Sequence, residues 1–207
     1  MLDLKAKIPK KIRLDKVFYV NNIIRVKNQN IQLRQNVDIL FIGRLREQTR
    51  ANEFLKVFSR SDQTRQFHVI GDGPQLLALQ EQYASDSRII FYGGLTDHLE
   101  INAIAEKCSF GVYPGNAGLS LVHYAALGLI PIFHNKLWDH MGPECGYFQN
   151  YLDDVSFDKD NLESILHRIE EIERSGRTLE LRNNMLELYN SITLESFGEK
   201  FGCMLKK

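Results

Sequence analysis

Cys108-Ser109-Phe110-Gly111-Val112-Tyr113-Pro114-Gly115-Asn116-Ala117-Gly118-Leu119-Ser120 runs from an apolar strand pattern, through a glycine-bearing turn, into a helical pattern over residues 119–127 that ends at Gly128. A tight turn between strand and helix leaves backbone N–H groups unpaired at the positive end of the helix, a seat suited to phosphate. Two more glycine-bearing turns follow strand patterns upstream, at Gly43 and at Gly71-Asp72-Gly73-Pro74. All three are predicted at one edge of a parallel sheet.

Outward from that stretch the pattern alternates. Residues 38–43 form a short continuous apolar run, as in a strand buried on both faces. Residues 51–58 have helical spacing, with Phe54, Leu55 and Phe58 on one side. Strands follow at 67–71 and 88–93, and helices at 74–83, with Pro74 in the first turn, and at 97–108, capped by Asp97 or Thr96. A fifth strand is predicted at 129–133. Strand–helix alternation with short connections predicts an α/β, Rossmann-like doubly wound parallel sheet. Residues 37–156 form its core. Residues 1–36 are a lead-in segment with a strand candidate at 16–20. Residues 157–207 read as helices packing on the core, from the spacing of Leu162, Ile165, Leu166, Ile169 and Ile172 and from the runs 179–189 and 196–205.

The chain has 207 residues, with 43% apolar and 25% charged side chains, which is ordinary for a soluble globular protein. Lys+Arg and Asp+Glu balance at 26 each, so net charge gives no argument for nucleic acid. The first fifty residues are locally basic, from Lys5 to Arg50. They read either as a solvated face or as an interface with another chain or with lipid headgroups. Cys108, Cys145 and Cys203 have no metal or disulfide spacing and are expected as reduced thiols of a cytoplasmic protein. No apolar run approaches the length of a membrane span.

In an open parallel sheet, ligands bind outside the carboxyl ends of the strands at a switch point. Gly43-Arg44-Leu45-Arg46-Glu47-Gln48-Thr49-Arg50, Gly71-Asp72-Gly73-Pro74 and the 114–120 turn all follow strands. Their glycines permit close approach, and Arg44 and Arg50 bring forked donors with fixed positive charge. Gly71-Asp72-Gly73-Pro74 alone reads equally well as ordinary turn punctuation.

The order and spacing of Ile39-Leu40-Phe41-Ile42-Gly43-Arg44-Leu45, His68-Val69-Ile70-Gly71-Asp72-Gly73-Pro74, Ile90-Phe91-Tyr92-Gly93, Val112-Tyr113-Pro114, Gly118-Leu119-Ser120 and Ala125-Ala126-Leu127-Gly128 carry a resemblance. Over residues 15–175 the chain resembles the C-terminal, donor-binding half of a retaining glycosyltransferase of the GT-B fold, glycosyl transferase group 1 or family 4-like. The resemblance implies a nucleotide-diphosphate sugar as substrate, with no cofactor and no metal. It implies that Arg44 contacts the diphosphate and that a second base falls at Thr49 or Arg50, of which Arg50 is favoured. Gly118, Leu119 and Ser120 match the phosphate turn, and Gly93 and Gly94 the place where the base meets backbone. Gly43, Gly71, Gly73, Gly115 and Asn116 complete the expected donor site, with His134 and Glu144 on a loop at its edge.

Two departures stand out. The family's two glutamates around the turn are Gly115 and His123 here. His123 reads either as a ribose contact or as a core histidine. With Phe133-His134-Asn135 and Met141-Gly142-Pro143-Glu144, this variant is similar to a bacterial surface-polysaccharide subgroup. The second departure is length, since the family's N-terminal acceptor domain has no room here. The chain is therefore expected as a fragment, as the partner of a separate N-terminal acceptor-binding subunit, or as a domain that only binds.

The expected function is transfer to a saccharide or lipid-linked acceptor in polysaccharide biosynthesis, in the cytoplasm or peripherally at the inner membrane face, with no nucleic-acid partner. The alternative is a non-catalytic nucleotide-sugar-binding or scaffold subunit; a sugar-nucleotide epimerase of the same fold is a third. His134, His140 and Glu144 fit no standard metal spacing. Ser120 lacks a nucleophile-elbow pattern. Asp153, Asp154, Asp158 and Asp160 read as a solvated turn and cap. Trp138 reads as a rim residue or as local packing.

Overall fold

The computed structural model describes Leu33 and residues 36–193. The strand expected at 16–20, the last helix at 196–205 and Cys203 lie outside these residues. The described chain alternates as expected: β1 (Asp38–Ile42), α1 (Ala51–Arg60), β2 (Phe67–Ile70), α2 (Leu76–Gln82), β3 (Ile89–Gly93), α3 (His98–Ala105), β4 (Cys108–Tyr113), α4 (Ser120–Ala126) and β5 (Ile130–His134). Then follow α5 (Leu152–Val155), β6 (Ser156–Phe157), α6 (Glu163–Arg174) and α7 (Thr178–Thr193). The six strands form one sheet in the order β3-β2-β1-β4-β5-β6, and every neighbouring pair is parallel. This is the doubly wound α/β fold, and its strand order reverses between β1 and β4.

Right-handed crossovers put α1 and α2 on one face and α3 and α4 on the other. That is why β2, β4 and β5 are buried along their whole length. On the first face Phe54 and Phe58 of α1 pack against Phe67 of β2, each with ring centroids 5.4 Å away. α6 touches α1 there, burying Ile165, Leu166, Ile169 and Ile172. On the second face α7 packs against α4 and β5. Its buried Arg182 donates from Nε to Gly128 O (2.7 Å), pinning α7 to the turn between α4 and β5.

Helix limits differ from expectation in places: α1 runs on to Arg60 and α7 to Thr193, and two other limits are cut short. α2 begins at Leu76 rather than at Pro74, because Gln75 N–H donates to Leu45 O (3.2 Å) and holds the preceding residues in a loop. α3 stops at Ala105, because Cys108 pairs with Asp38 in the sheet. Asp97 is its cap, accepting from Leu99 N–H (2.8 Å). β6 was not expected, since two residues carry no periodicity. Of the acidic run, Asp154 is not merely solvated, because it pairs with Arg177 at 2.7 Å.

Candidate functional site at the strand switch

Tyr124 fixes the switch itself. Its ring lies against Gly111, where a Cβ would come within 2.3 Å of ring carbon. Its hydroxyl accepts from Ile42 N–H (2.9 Å) at the end of β1 and donates to Val112 O (3.1 Å) in β4. The loops after β1 and β4 therefore start from rigidly related positions.

The β1 loop is laced to the β2 loop. Gly43 N–H donates to Ile70 O (3.1 Å), Leu45 N–H to Asp72 O (2.8 Å) and Gly71 N–H to Gly93 O (2.8 Å). A Cβ on Gly71 would lie 1.9 Å from Gly43 O, and one on Gly73 would lie 2.3 Å from Leu45 O. These two glycines allow backbone-to-backbone approach between loops. Gly93 adopts a left-handed conformation (φ 71°), and Gly94 lies beside Asp72; both sit at the end of β3, two strands from the switch.

Across the switch, the 114–120 turn is clamped by the loop after β5. Ala117 N–H donates to His140 Nδ1 (2.9 Å), and Met141 N–H donates to Ala117 O (2.9 Å). His140 Nε2 lies 3.0 Å from His134 O. A carbonyl only accepts, so His140 carries its proton on Nε2 and is neutral. His134 stacks on it, ring centroids 3.9 Å apart, and reaches Asn116 Oδ1 through Nε2 (3.1 Å). Burial, then the neighbouring His140, lowers His134 to about 3. Burial likewise lowers His140. Gly115 is pressed on the β1 loop, where a Cβ would lie 2.2 Å from Gln48 O. Among the described residues, Gly118, Leu119 and Ser120 donate no backbone hydrogen bond, so three N–H groups remain unspent beside the switch.

The arginines differ. Arg44 is exposed and makes no hydrogen bond or ion pair among the described residues. Arg50 sits at φ 53°, left-handed, and its guanidinium is bound to Glu53 Oε2 (2.8 and 3.0 Å) and to Lys159 O (2.7 Å). Arg46, which sequence reasoning passed over, lies between the two loops with Nη2 3.5 Å from Met141 Sδ. His123 on α4 is buried, and its Nε2 has no partner; burial, then the nearby His98, lowers it to about 4. Glu144 is buried in the loop after β5, against Gly142. The structure thus sets the β1 loop, at Gln48 and Thr49, against Gly115 of the turn after β4, and ties that turn to His140 and Asn116 to His134. The sequence offered His140 only beside His134 and Glu144 as a metal set of the wrong spacing, and nothing in it connects His140 to Ala117.

Among the described residues no group of three His, Cys, Asp or Glu side chains could hold a metal ion. Among them too, no helix is long and apolar enough to cross a membrane.

Comparison with solved structures gives TarM from S. aureus, solved with UDP, α-GlcNAc-glycerol and fondaparinux, at a TM-score of 0.71 and 15% identity, covering 92% of this chain and 39% of that one. The lipopolysaccharide outer core galactosyltransferase WaaB gives 0.66 at 14% identity, covering 95% and 57%. HepE from Anabaena, in complex with UDP, gives 0.67 at 12% identity, covering 83% and 49%. The chain thus spans about two fifths to three fifths of these proteins. No curated protein sequence matches it. The family model for glycosyl transferases group 1 matches residues 36–141, just over half of the 207 residues, and the chain belongs to that family.

Proposed function

We propose that this chain is the donor-binding part of a glycosyltransferase. It holds a nucleotide-diphosphate sugar at the strand switch and presents it to a saccharide or lipid-linked acceptor held by a separate domain or subunit. The observation that carries this is the pairing across β1 and β4. An arginine-bearing loop faces a turn with three unspent N–H groups. Charge develops on the diphosphate as the sugar leaves, and donors already fixed in place stabilise it without reorganisation. Arg44 is the exposed cation, Gly118–Ser120 supply the N–H groups, and His134 and His140 hold the turn's shape. His123, with its unpaired Nε2, suits a ribose hydroxyl, and Gly93 and Gly94 offer backbone to the base. UDP in two of the similar structures supports the donor class. A role in surface-polysaccharide synthesis at the inner membrane face is part of this proposal.

The test is calorimetric titration of the purified chain with UDP, GDP and ADP. Saturable binding of one diphosphate, weakened roughly tenfold in Arg44→Ala, is expected. Failure of all three to bind removes the donor reading. The packing of Gly115 against Gln48 O favours a second reading, binding without transfer, because it leaves no room for a carboxylate there. Donor hydrolysis or transfer in the presence of an acceptor partner separates the two.

A further inference from the structure

We infer that Arg46 is the second cation meeting the diphosphate, and that Arg50 instead ties the β1 loop to the segment following β6. The inference rests on the donor reading above.

Arg46 is poorly satisfied for a permanently charged group with five donors. Its Nε is enclosed without any partner, and the contact of Nη2 is a thioether sulfur, a weak acceptor. No carboxylate pairs with it among the described residues. A guanidinium so placed is built for an anion that arrives from outside.

Its position is fixed and central. Leu45 before it is fully buried, and Arg46 O accepts from both Thr49 N–H (3.1 Å) and Thr49 Oγ1 (2.6 Å). Its side chain reaches Met141, whose Cβ and Cε lie 3.8 Å from where a Cβ of Gly118 would stand. On the β4 side, burial raises the Tyr113 phenol, and the charge of Arg46 works against that rise. The guanidinium therefore reaches, through Met141, the turn with unspent N–H groups, and its charge acts on Tyr113 at the end of β4. Met141 is 59% exposed, so its sulfur can yield to a phosphate oxygen.

Arg50 is committed elsewhere. Glu53 neutralises it, and Lys159 O takes its remaining edge. A diphosphate would meet a guanidinium whose charge Glu53 already offsets and three of whose five donors are taken.

The test compares UDP and uridine titrations of wild type, Arg46→Ala, Arg46→Gln and Arg50→Ala, with thermal midpoints for each. Arg46→Ala is expected to lower UDP affinity roughly tenfold or more and to leave uridine binding unchanged. Arg50→Ala is expected to lower the midpoint while UDP affinity stays within about threefold. Arg46→Gln keeps a polar, hydrogen-bonding side chain without the charge and substitutes if the alanine variant does not fold. UDP affinity unchanged in both Arg46 variants, or lost instead in a folded Arg50→Ala, overturns the inference while the donor reading stands. If wild type binds none of UDP, GDP and ADP, both fall together.

Discussion

His140 accepts the backbone N–H of Ala117 at 2.9 Å, and this bond ties the loop after β5 to the turn after β4. The other face of the bond network is His140 Nε2–H to His134 O at 3.0 Å. One neutral imidazole thereby spans two chain segments, next to three N–H groups that donate no hydrogen bond among the described residues.

Replacing that imidazole is expected to loosen the turn. His140→Ala leaves the buried Ala117 N–H without a partner, at a cost of about 1–3 kcal/mol. Nucleotide affinity is expected to fall with it. His140→Phe keeps a ring against His134 but loses both hydrogen bonds. If it matches wild type in urea midpoint and UDP affinity, stacking rather than hydrogen bonding holds the turn.

Acid is expected to destabilise the fold through buried neutral histidines. His123 titrates at about 4 and His134 at about 3 in the folded chain, against 6.5 for a free imidazole. Between those values the unfolded chain binds more protons, so stability rises with pH. It is complete above about 6.5 and is lost progressively as pH falls through the window towards 4 and 3. Urea midpoints that stay flat between pH 7 and pH 4.5 would contradict this. His123→Asn is expected to reduce the slope.

Gly115 is expected to tolerate no side chain. A Cβ there would lie 2.2 Å from Gln48 O and 2.8 Å from Thr49 C, both backbone. Gly115→Ala is expected to cost at least about 2 kcal/mol, because loops rather than a flexible side chain must move. Gly115→Glu, which restores the residue type usual in the family, is expected to displace the Glu47–Thr49 turn and to weaken nucleotide binding rather than improve it. A folded Gly115→Glu chain with wild-type thermal midpoint would refute the packing argument.

Tyr124 is expected to govern the alignment of the two loops. Tyr124→Phe removes a donor from Val112 O and an acceptor from Ile42 N–H, both at the switch. A loss of about 1–3 kcal/mol in chemical denaturation is expected, along with weaker UDP binding. Gly111→Ala, which drives a methyl into the same ring, is expected to act in the same direction. Unchanged stability in Tyr124→Phe would place the alignment elsewhere.

Much of the architecture was legible because apolar runs and periodicity report burial directly. The runs at Ile39-Leu40-Phe41 and Phe67-His68-Val69-Ile70 are continuous because each strand has helices on both faces, and helical spacing located Phe54 and Phe58 on the buried side of α1. The limits of α2 and α3 were less legible. Gln75 and Cys108 take backbone partners from β1 or its loop, far away in sequence, and those partners override local propensity. Sequence likewise drew attention to Arg44 and Arg50 as equal cations. Nothing in their spacing could show that Glu53 and Lys159 occupy one of them, or that Arg46 lies beside Met141.

By itself, the amino-acid sequence determined the alternation of strands and helices, the turns that must carry glycine, and the family whose pattern they follow. Those properties depend on residues close together in the chain, where periodicity and backbone freedom act. Only the tertiary structure decided which loops meet. The reversal of strand order between β1 and β4 sets the turn at Gly115 against the backbone of Gln48, and the loop after β5 folds His140 onto Ala117. Hydrogen bonds and steric contacts at those points join residues 23 to 67 positions apart, distances over which local sequence carries no geometric information.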